Sequence, residues 1–262
     1  FKIDRKLILD SKRKVSTIVC PVTGLDHIDL NACNESEIKI ISLKGEFEFL
    51  KEIRATAELT IALILTLLRN LTKATESVKN INWNRNLFRG NEIHNNTIGI
   101  VGMGRLGTIV SDILLAFGAN VIAYDIKNFE TRHIKKATSL IELVKKSKII
   151  SVHVDYNDEN HHMFDSKIFS NFNKESLFIN TSRGSLVDEK ALIDALEKGN
   201  IISAAVDVIE NEHNHRNSPL IKYAKSNDNL IITPHIGGCT FESFEKTEKF
   251  LANKLISHLI NN

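Results

Sequence analysis

Between Thr97 and His235 the sequence alternates short, apolar, β-rich runs with amphipathic stretches, and this alternation restricts the fold more than any other feature. The runs are Thr97–Val101, Asn120–Asp125, Lys148–Val154, Ser176–Thr181, Ile202–Val208 and Leu230–Thr233. Most are nearly continuous in apolar residues rather than alternating apolar with polar. Strands of that kind are buried on both faces, as in a parallel sheet covered by helices on each side. Helical stretches lie between them. Arg105 to Phe117 stops at Gly118, a natural C-cap, and Asp188 to Lys198 opens on an acid and stops at Gly199. Six strands alternating with helices predict a doubly wound α/β domain.

The sequence upstream reads differently. Ala55 to Asn70 is a strongly apolar helix. Ser16–Cys20 and Glu37–Ile41 read as two more strands, with a turn at Pro21–Gly24. They predict a second, smaller domain, to which the amphipathic tail Phe241–Asn262 is expected to return.

Composition narrows the function classes. A net charge of +2 gives no reason to expect a nucleic-acid or anionic-membrane partner. The longest apolar run, Leu59–Leu68, is too short to span a bilayer. Cys20, Cys33 and Cys239 form no CxxC pair, so neither a disulfide framework nor a metal site is expected, and a reducing cytoplasm is.

The first chemical motif is Gly102-Met103-Gly104-Arg105-Leu106-Gly107, directly after the Thr97–Val101 run. Gly102 permits a tight turn, Gly104 lets the backbone approach a pyrophosphate, and Gly107 lets helix and strand pack closely. The following helix offers free N–H groups and a positive dipole end to phosphates. Alone, a GxGxxG is equally a glycine-rich turn. Its context is a preceding strand, a following helix, and Asp125 at the end of the next strand, 18 residues after Gly107. A carboxylate there accepts hydrogen bonds from ribose hydroxyls and repels the extra phosphate of NADP, so NAD is the expected cofactor of a Rossmann-type domain.

Three further residues follow later strands: Arg183, Glu212 and His235. The carboxyl ends of strands in an open parallel sheet converge on the ligand crevice, so residues distant in sequence can meet there. Any one of them is an ordinary surface residue on its own. Together their types suit the oxidation of an alcohol. A histidine takes the hydroxyl proton, a carboxylate orients the ring and stabilises imidazolium, and an arginine fork grips a substrate carboxylate.

The stretches TIGIVGMGRLG, FINTSRGSLVDEKALIDAL, AAVDVIENE and ITPHIGGCT resemble the D-isomer-specific 2-hydroxyacid dehydrogenases, nearest the D-3-phosphoglycerate dehydrogenase-like branch. The resemblance implies that Arg183 binds the substrate carboxylate, that Glu212 rather than Glu210 supports the histidine, and that His235 is the general acid/base. It implies further cofactor contacts at Arg105, Leu106, His153, Val154, Thr181, Asp207 and Gly238, and substrate contacts at Thr23 and Gly24 in VTGLDHID. It also implies a flavodoxin-like substrate domain (1–54, completed by 241–262) beside an NAD-binding domain (55–240), and a homodimer formed through the latter.

The sequence departs from the family in three places. The family starts about one strand-helix-strand-helix unit before Phe1, so an N-terminally truncated chain with an incomplete substrate domain is expected. Asp155 stands where a proline usually follows the His153-Val154 pair. No aromatic residue follows His235, and Gly237 and Gly238 are expected to leave room for a polar or phosphorylated substrate. Candidate substrates are 3-phosphoglycerate, glyoxylate and hydroxypyruvate. The rival reading is an NAD(H)-sensing corepressor, since relatives of that kind can keep the same three residues.

Overall fold

The computed structural model describes residues 2–10 and 15–260. The chain divides into two units, Phe1–Ile53 with Gly238–Asn262, and Arg54–Gly237.

The first unit opens with helix α1 (Arg5–Leu9), strand β1 (Thr17–Cys20), α2 (Leu30–Glu35), β2 (Lys39–Ser42) and α3 (Phe47–Leu50). β1 and β2 pair in parallel, Thr17 opposite Lys39 and Cys20 opposite Ser42. α1 and α2 are short and capped by aspartates: the Asp4 side chain accepts from Leu7 N–H and Asp29 from Ala32 N–H.

The second unit holds α4 (Ala55–Leu68), α5 (Leu71–Lys79), β3 (Thr97–Val101), α6 (Arg105–Ala116), β4 (Asn120–Tyr124), β5 (Lys135–Lys136), α7 (Leu140–Lys146) and β6 (Ile149–Val152). It continues with α8 (Ser166–Phe169), β7 (Leu177–Asn180), α9 (Glu189–Glu197), β8 (Ser203–Val206), α10 (Pro219–Ala224) and β9 (Leu230–Ile232). The chain then returns to the first unit with α11 (Phe241–Ile260), whose Phe250 ring stacks on Phe49 at 3.9 Å between centroids. The last two residues of the expected tail helix lie outside the described residues.

Seven strands form one parallel sheet in the order β5-β4-β3-β6-β7-β8-β9. The sequence predicts six. The seventh, β5, is two exposed lysines at the sheet edge, which carry no apolar signature. β6 and β7 are buried along their whole length, and two apolar clusters account for it. One contains Leu143, Leu192 and Phe178; the other contains Ile64 of α4, Leu114 of α6, Ile98 and Ile179. Covering both faces is what a parallel sheet requires, because its strands expose no polar face to water. The strand order reverses between β3 and β6, so a crevice opens beyond their carboxyl ends. Among the described residues no single helix is long and apolar enough to cross a membrane.

Candidate functional site

The glycine loop leaves β3 at that reversal. Gly102 has φ of +95°, a turn most side chains resist, and its N–H donates to the Tyr124 carbonyl at 2.8 Å. A Cβ on Gly107 would collide with the carbonyl oxygen of Gly102, so helix and loop pack as closely as the motif predicts. Around Gly104 a Cβ would meet nothing within 4 Å. Gly104 is also the N-cap of α6 and supplies no side chain to satisfy the first-turn N–H groups. An exposed, unfilled cradle facing uncapped amides fits a pyrophosphate.

Asp125 lies just beyond β4. Its carboxylate accepts from Met103 N–H at 2.7 Å and from Lys127 N–H at 2.8 Å. It therefore shapes the glycine loop. Burial lowers the pKa of the Arg105 guanidinium, and the charge of Asp155 works against that shift. Asp155, the departure from the family proline, thus acts electrostatically on the loop arginine.

Leu106 is half-buried and packs against the apolar cluster beneath α6. His153 and Val154 follow β6 and flank Gly102. His153 is buried, its Nε2 is 2.9 Å from Ser151 Oγ, and its Nδ1 has no partner. Burial alone brings its pKa down to about 4, so it is neutral at physiological pH. Thr181 is buried and its hydroxyl meets that of Thr60 at 2.8 Å.

Arg183 sits in a turn that its neighbours hold. The Asn180 amide donates to the Arg183 carbonyl at 2.9 Å and its oxygen accepts from Ser182 N–H at 3.0 Å. Ser182 Oγ donates to the Val152 carbonyl at 2.7 Å, which ties the ends of β7 and β6 together. A side chain at Gly184 would strike the Ile209–Glu210 backbone. Only glycine lets the Arg183 turn lie against the loop after β8.

That loop carries Glu210 and Glu212. Asn211 between them has φ of +56°, in the left-handed region, and turns the chain. Glu210 faces His162, whereas Glu212 Oε2 lies 2.8 Å from His235 Nδ1. A carboxylate only accepts, so Nδ1–H donates and the lone pair of the neutral ring sits on Nε2. The Glu212 hydrogen bond raises the His235 pKa above its ordinary 6.5; burial opposes the rise, the Glu212 charge adds to it, and the Arg183 charge opposes it.

His235 itself has φ of +53°, a conformation costing a non-glycine residue about 1–3 kcal/mol. Asp207 holds it there. The Asp207 carbonyl accepts from His235 N–H at 2.9 Å, and its buried carboxylate accepts from Ile236 N–H at 2.9 Å, Gly237 N–H at 2.7 Å and Thr233 Oγ1. Gly237 does not leave the room the sequence predicts, because a Cβ there would come within 3.1 Å of Asp207 Oδ2 and of Thr56. A Cβ on Gly238 would meet nothing within 4 Å. A cavity of about 640 Å³ is lined by Asp207, Glu212, Thr233 and His235 together with apolar Ile209 and Ile221. Thr23 and Gly24 lie in the first unit between β1 and α2, Thr23 exposed and Gly24 half-buried.

Residues 61–237 match the family model of the D-isomer specific 2-hydroxyacid dehydrogenase, NAD binding domain. The chain belongs to that family. It is 32% identical over 266 residues to the D-3-phosphoglycerate dehydrogenase of Methanocaldococcus jannaschii, covering 97% of this chain but only 49% of that protein. It is 32% identical over 266 residues to the glyoxylate reductase of Thermofilum pendens, covering 98% of this chain and 76% of that protein. Among solved structures, the D-lactate dehydrogenase from Aquifex aeolicus complexed with NAD and lactic acid superposes with a TM-score of 0.85 at 31% identity, covering 99% of this chain and 80% of that one. The cofactor of this dehydrogenase family member is NAD, as the matched domain states.

Sequence reasoning passed over Asn180, Ser182, Gly184 and the anchoring of His235 by Asp207. The first two sit inside the N-T-S-R run, where a paired amide and hydroxyl flanking an arginine hinted at a braced turn. Nothing in the sequence marks which N–H groups Asp207 accepts.

Proposed function

We propose that this chain is an NAD-dependent dehydrogenase of small D-2-hydroxy acids in which Arg183, Glu212 and His235 do the work. The observation that carries the reading is the 2.8 Å pairing of His235 Nδ1 with Glu212 on loops that leave β8 and β9, with the Arg183 charge within electrostatic reach. NAD, when bound, supplies the hydride acceptor or donor. Arg183 grips the substrate carboxylate and so presents the hydroxyl-bearing carbon in one orientation. His235 Nε2 takes the hydroxyl proton in oxidation and returns it to the keto oxygen in reduction. Glu212 keeps the ring in the tautomer that leaves Nε2 free and stabilises the imidazolium. The glycine loop and Asp125 hold the pyrophosphate and ribose, with Arg105, Leu106, His153, Val154, Thr181, Asp207 and Gly238 as further contacts.

The substrate class is a small 2-keto acid such as glyoxylate, hydroxypyruvate or the keto form of 3-phosphoglycerate. Relatives named for each of these chemistries support that range. The smaller unit is assigned the substrate-domain role and the larger one the NAD-binding role. A homodimer through the larger unit is supported by the exposed apolar side chains of Ile81, Trp83 and Leu87, which follow α5. Three free thiols support a reducing cytoplasmic setting.

The test is a panel of 2-keto acids assayed by loss of NADH absorbance, beside a fluorescence titration of NADH binding. Turnover of at least one small keto acid, lost in His235→Ala while NADH still binds, is the expected result. NADH binding with no turnover of any panel member would overturn the reading.

A further inference from the structure

On the same loop after β8 that carries Glu212, Glu210 faces His161 and His162, which follow β6. We propose that these three residues bind one divalent cation of the borderline class, zinc above all.

The geometry is a ligand set. One ring nitrogen of each histidine and one Glu210 oxygen all lie within 4.8 Å of one another. His162 Nε2 stands 3.3 Å from both carboxylate oxygens of Glu210. That is long for a charge-assisted N–H···O bond, which settles near 2.7–2.9 Å. It is the spacing of two ligands on a tetrahedral zinc, whose bonds of about 2.0–2.1 Å put ligand atoms about 3.3–3.4 Å apart. The two imidazoles stack at 3.8 Å between centroids with 22° between planes.

The surroundings hold these groups and favour a cation. His162 has φ of +51°, and its N–H donates to the Ser185 carbonyl at 2.9 Å. Tyr156 Oη lies 3.4 Å from His161 Nδ1. Buried Glu189 accepts from the Glu210 N–H at 2.9 Å, which places a second carboxylate behind the first. Two nitrogens and a carboxylate select zinc, nickel or cobalt over magnesium or calcium, which prefer all-oxygen shells. Three protein ligands leave a fourth position for water, and His161 is exposed enough for an ion to enter. The absence of a CxxC pair therefore does not exclude a metal from this chain.

A bound ion would tie the loop after β6 to the loop after β8, two residues from Glu212. Binding itself does not depend on the role given to Glu212.

The test is calorimetric titration of zinc sulfate into the untagged, chelator-stripped chain. One site per chain is expected, weakened at least tenfold in Glu210→Gln and in the His161→Ala/His162→Ala double variant. Affinity is expected to be unchanged in Cys239→Ser and His133→Ala, which remove an exposed thiol and an exposed histidine outside the cluster. Thermal melting of each variant checks that it is folded, and Glu210→Gln carries the test if the double variant is not. No binding by the parent chain, or equal binding by parent and Glu210→Gln, overturns the proposal, whatever the dehydrogenase assay shows.

Discussion

His235 and Glu212 share a hydrogen bond of 2.8 Å, and it raises the imidazole pKa above 6.5. Oxidation needs the neutral ring and reduction the protonated one. In the hydroxy-acid direction kcat/KM is therefore expected to rise with pH through this raised value, and in the keto-acid direction to fall through it. Glu212→Gln removes the hydrogen-bonded charge and should move both limbs toward lower pH while cutting turnover about 10- to 100-fold. The linkage to folding has the same sign. The pair stabilises the fold fully below the unfolded pKa near 6.5, and that contribution fades as pH climbs through the higher folded value. Profiles that coincide for the parent and Glu212→Gln would remove Glu212 from the proton path.

Arg183 presents a planar fork, and its Nη1 donates to the Ser182 carbonyl at 2.7 Å, which orients the group. Lysine keeps the charge but not the two parallel N–H donors. Arg183→Lys is expected to raise KM for the keto acid about tenfold or more and leave the Kd for NADH unchanged. Steady-state kinetics beside a cofactor titration separate the two. Equal loss of cofactor affinity would assign the arginine to NAD instead of the substrate.

The large sheet was legible because β6 and β7 are buried on both faces, and such strands must be apolar throughout. Only their ends were misjudged, by one or two residues, where polar residues such as Lys148 and Thr181 take over. β5 was illegible, since Lys135 and Lys136 pair through backbone groups alone and expose their side chains. At the site, residue types were legible but directions were not. Glu210 and Glu212 differ by two positions, and the left-handed Asn211 decides which faces His162 and which faces His235. The sequence marks Asp207 only as an expected cofactor contact. Its task of holding His235 in a strained conformation depends on loop geometry that no local pattern encodes.

Asp207→Asn tests that task. The native carboxylate accepts from Ile236 and Gly237 N–H on different oxygens. An amide offers one acceptor and turns a donor toward the other N–H, leaving a buried mismatch worth about 1–3 kcal/mol. A lower melting temperature, a turnover loss of about tenfold or more and a downward shift of the His235 pH limb are expected together. An unchanged melting curve with unchanged turnover would show that the loop holds His235 without Asp207.

Ile81, Trp83 and Leu87 expose 95%, 87% and 62% of their surface, an unusual concentration of apolar area on one short segment. If two copies bury it, Trp83→Glu should convert a dimer to a monomer in sedimentation velocity. A parent chain that sediments as a monomer, or a variant that stays dimeric, would reject this interface.

The proposed function gives Asp125 two duties that one pair of substitutions can separate. Its carboxylate accepts the Met103 N–H within the glycine loop, and the proposed function gives it the ribose of the cofactor as well. Asn keeps an oxygen for the Met103 N–H but loses the charge, whereas Ala loses both. Charge is what repels the extra phosphate of NADP. In Asp125→Asn the ratio of NADPH to NADH dissociation constants should therefore fall about tenfold with little loss of thermal stability. In Asp125→Ala both cofactors should bind more weakly and the loop should loosen, seen as a lower melting temperature. Fluorescence titration with each cofactor measures the ratio. If it stays the same in Asp125→Asn, then Asp125 serves only to shape the loop, and the preference for NAD has another source.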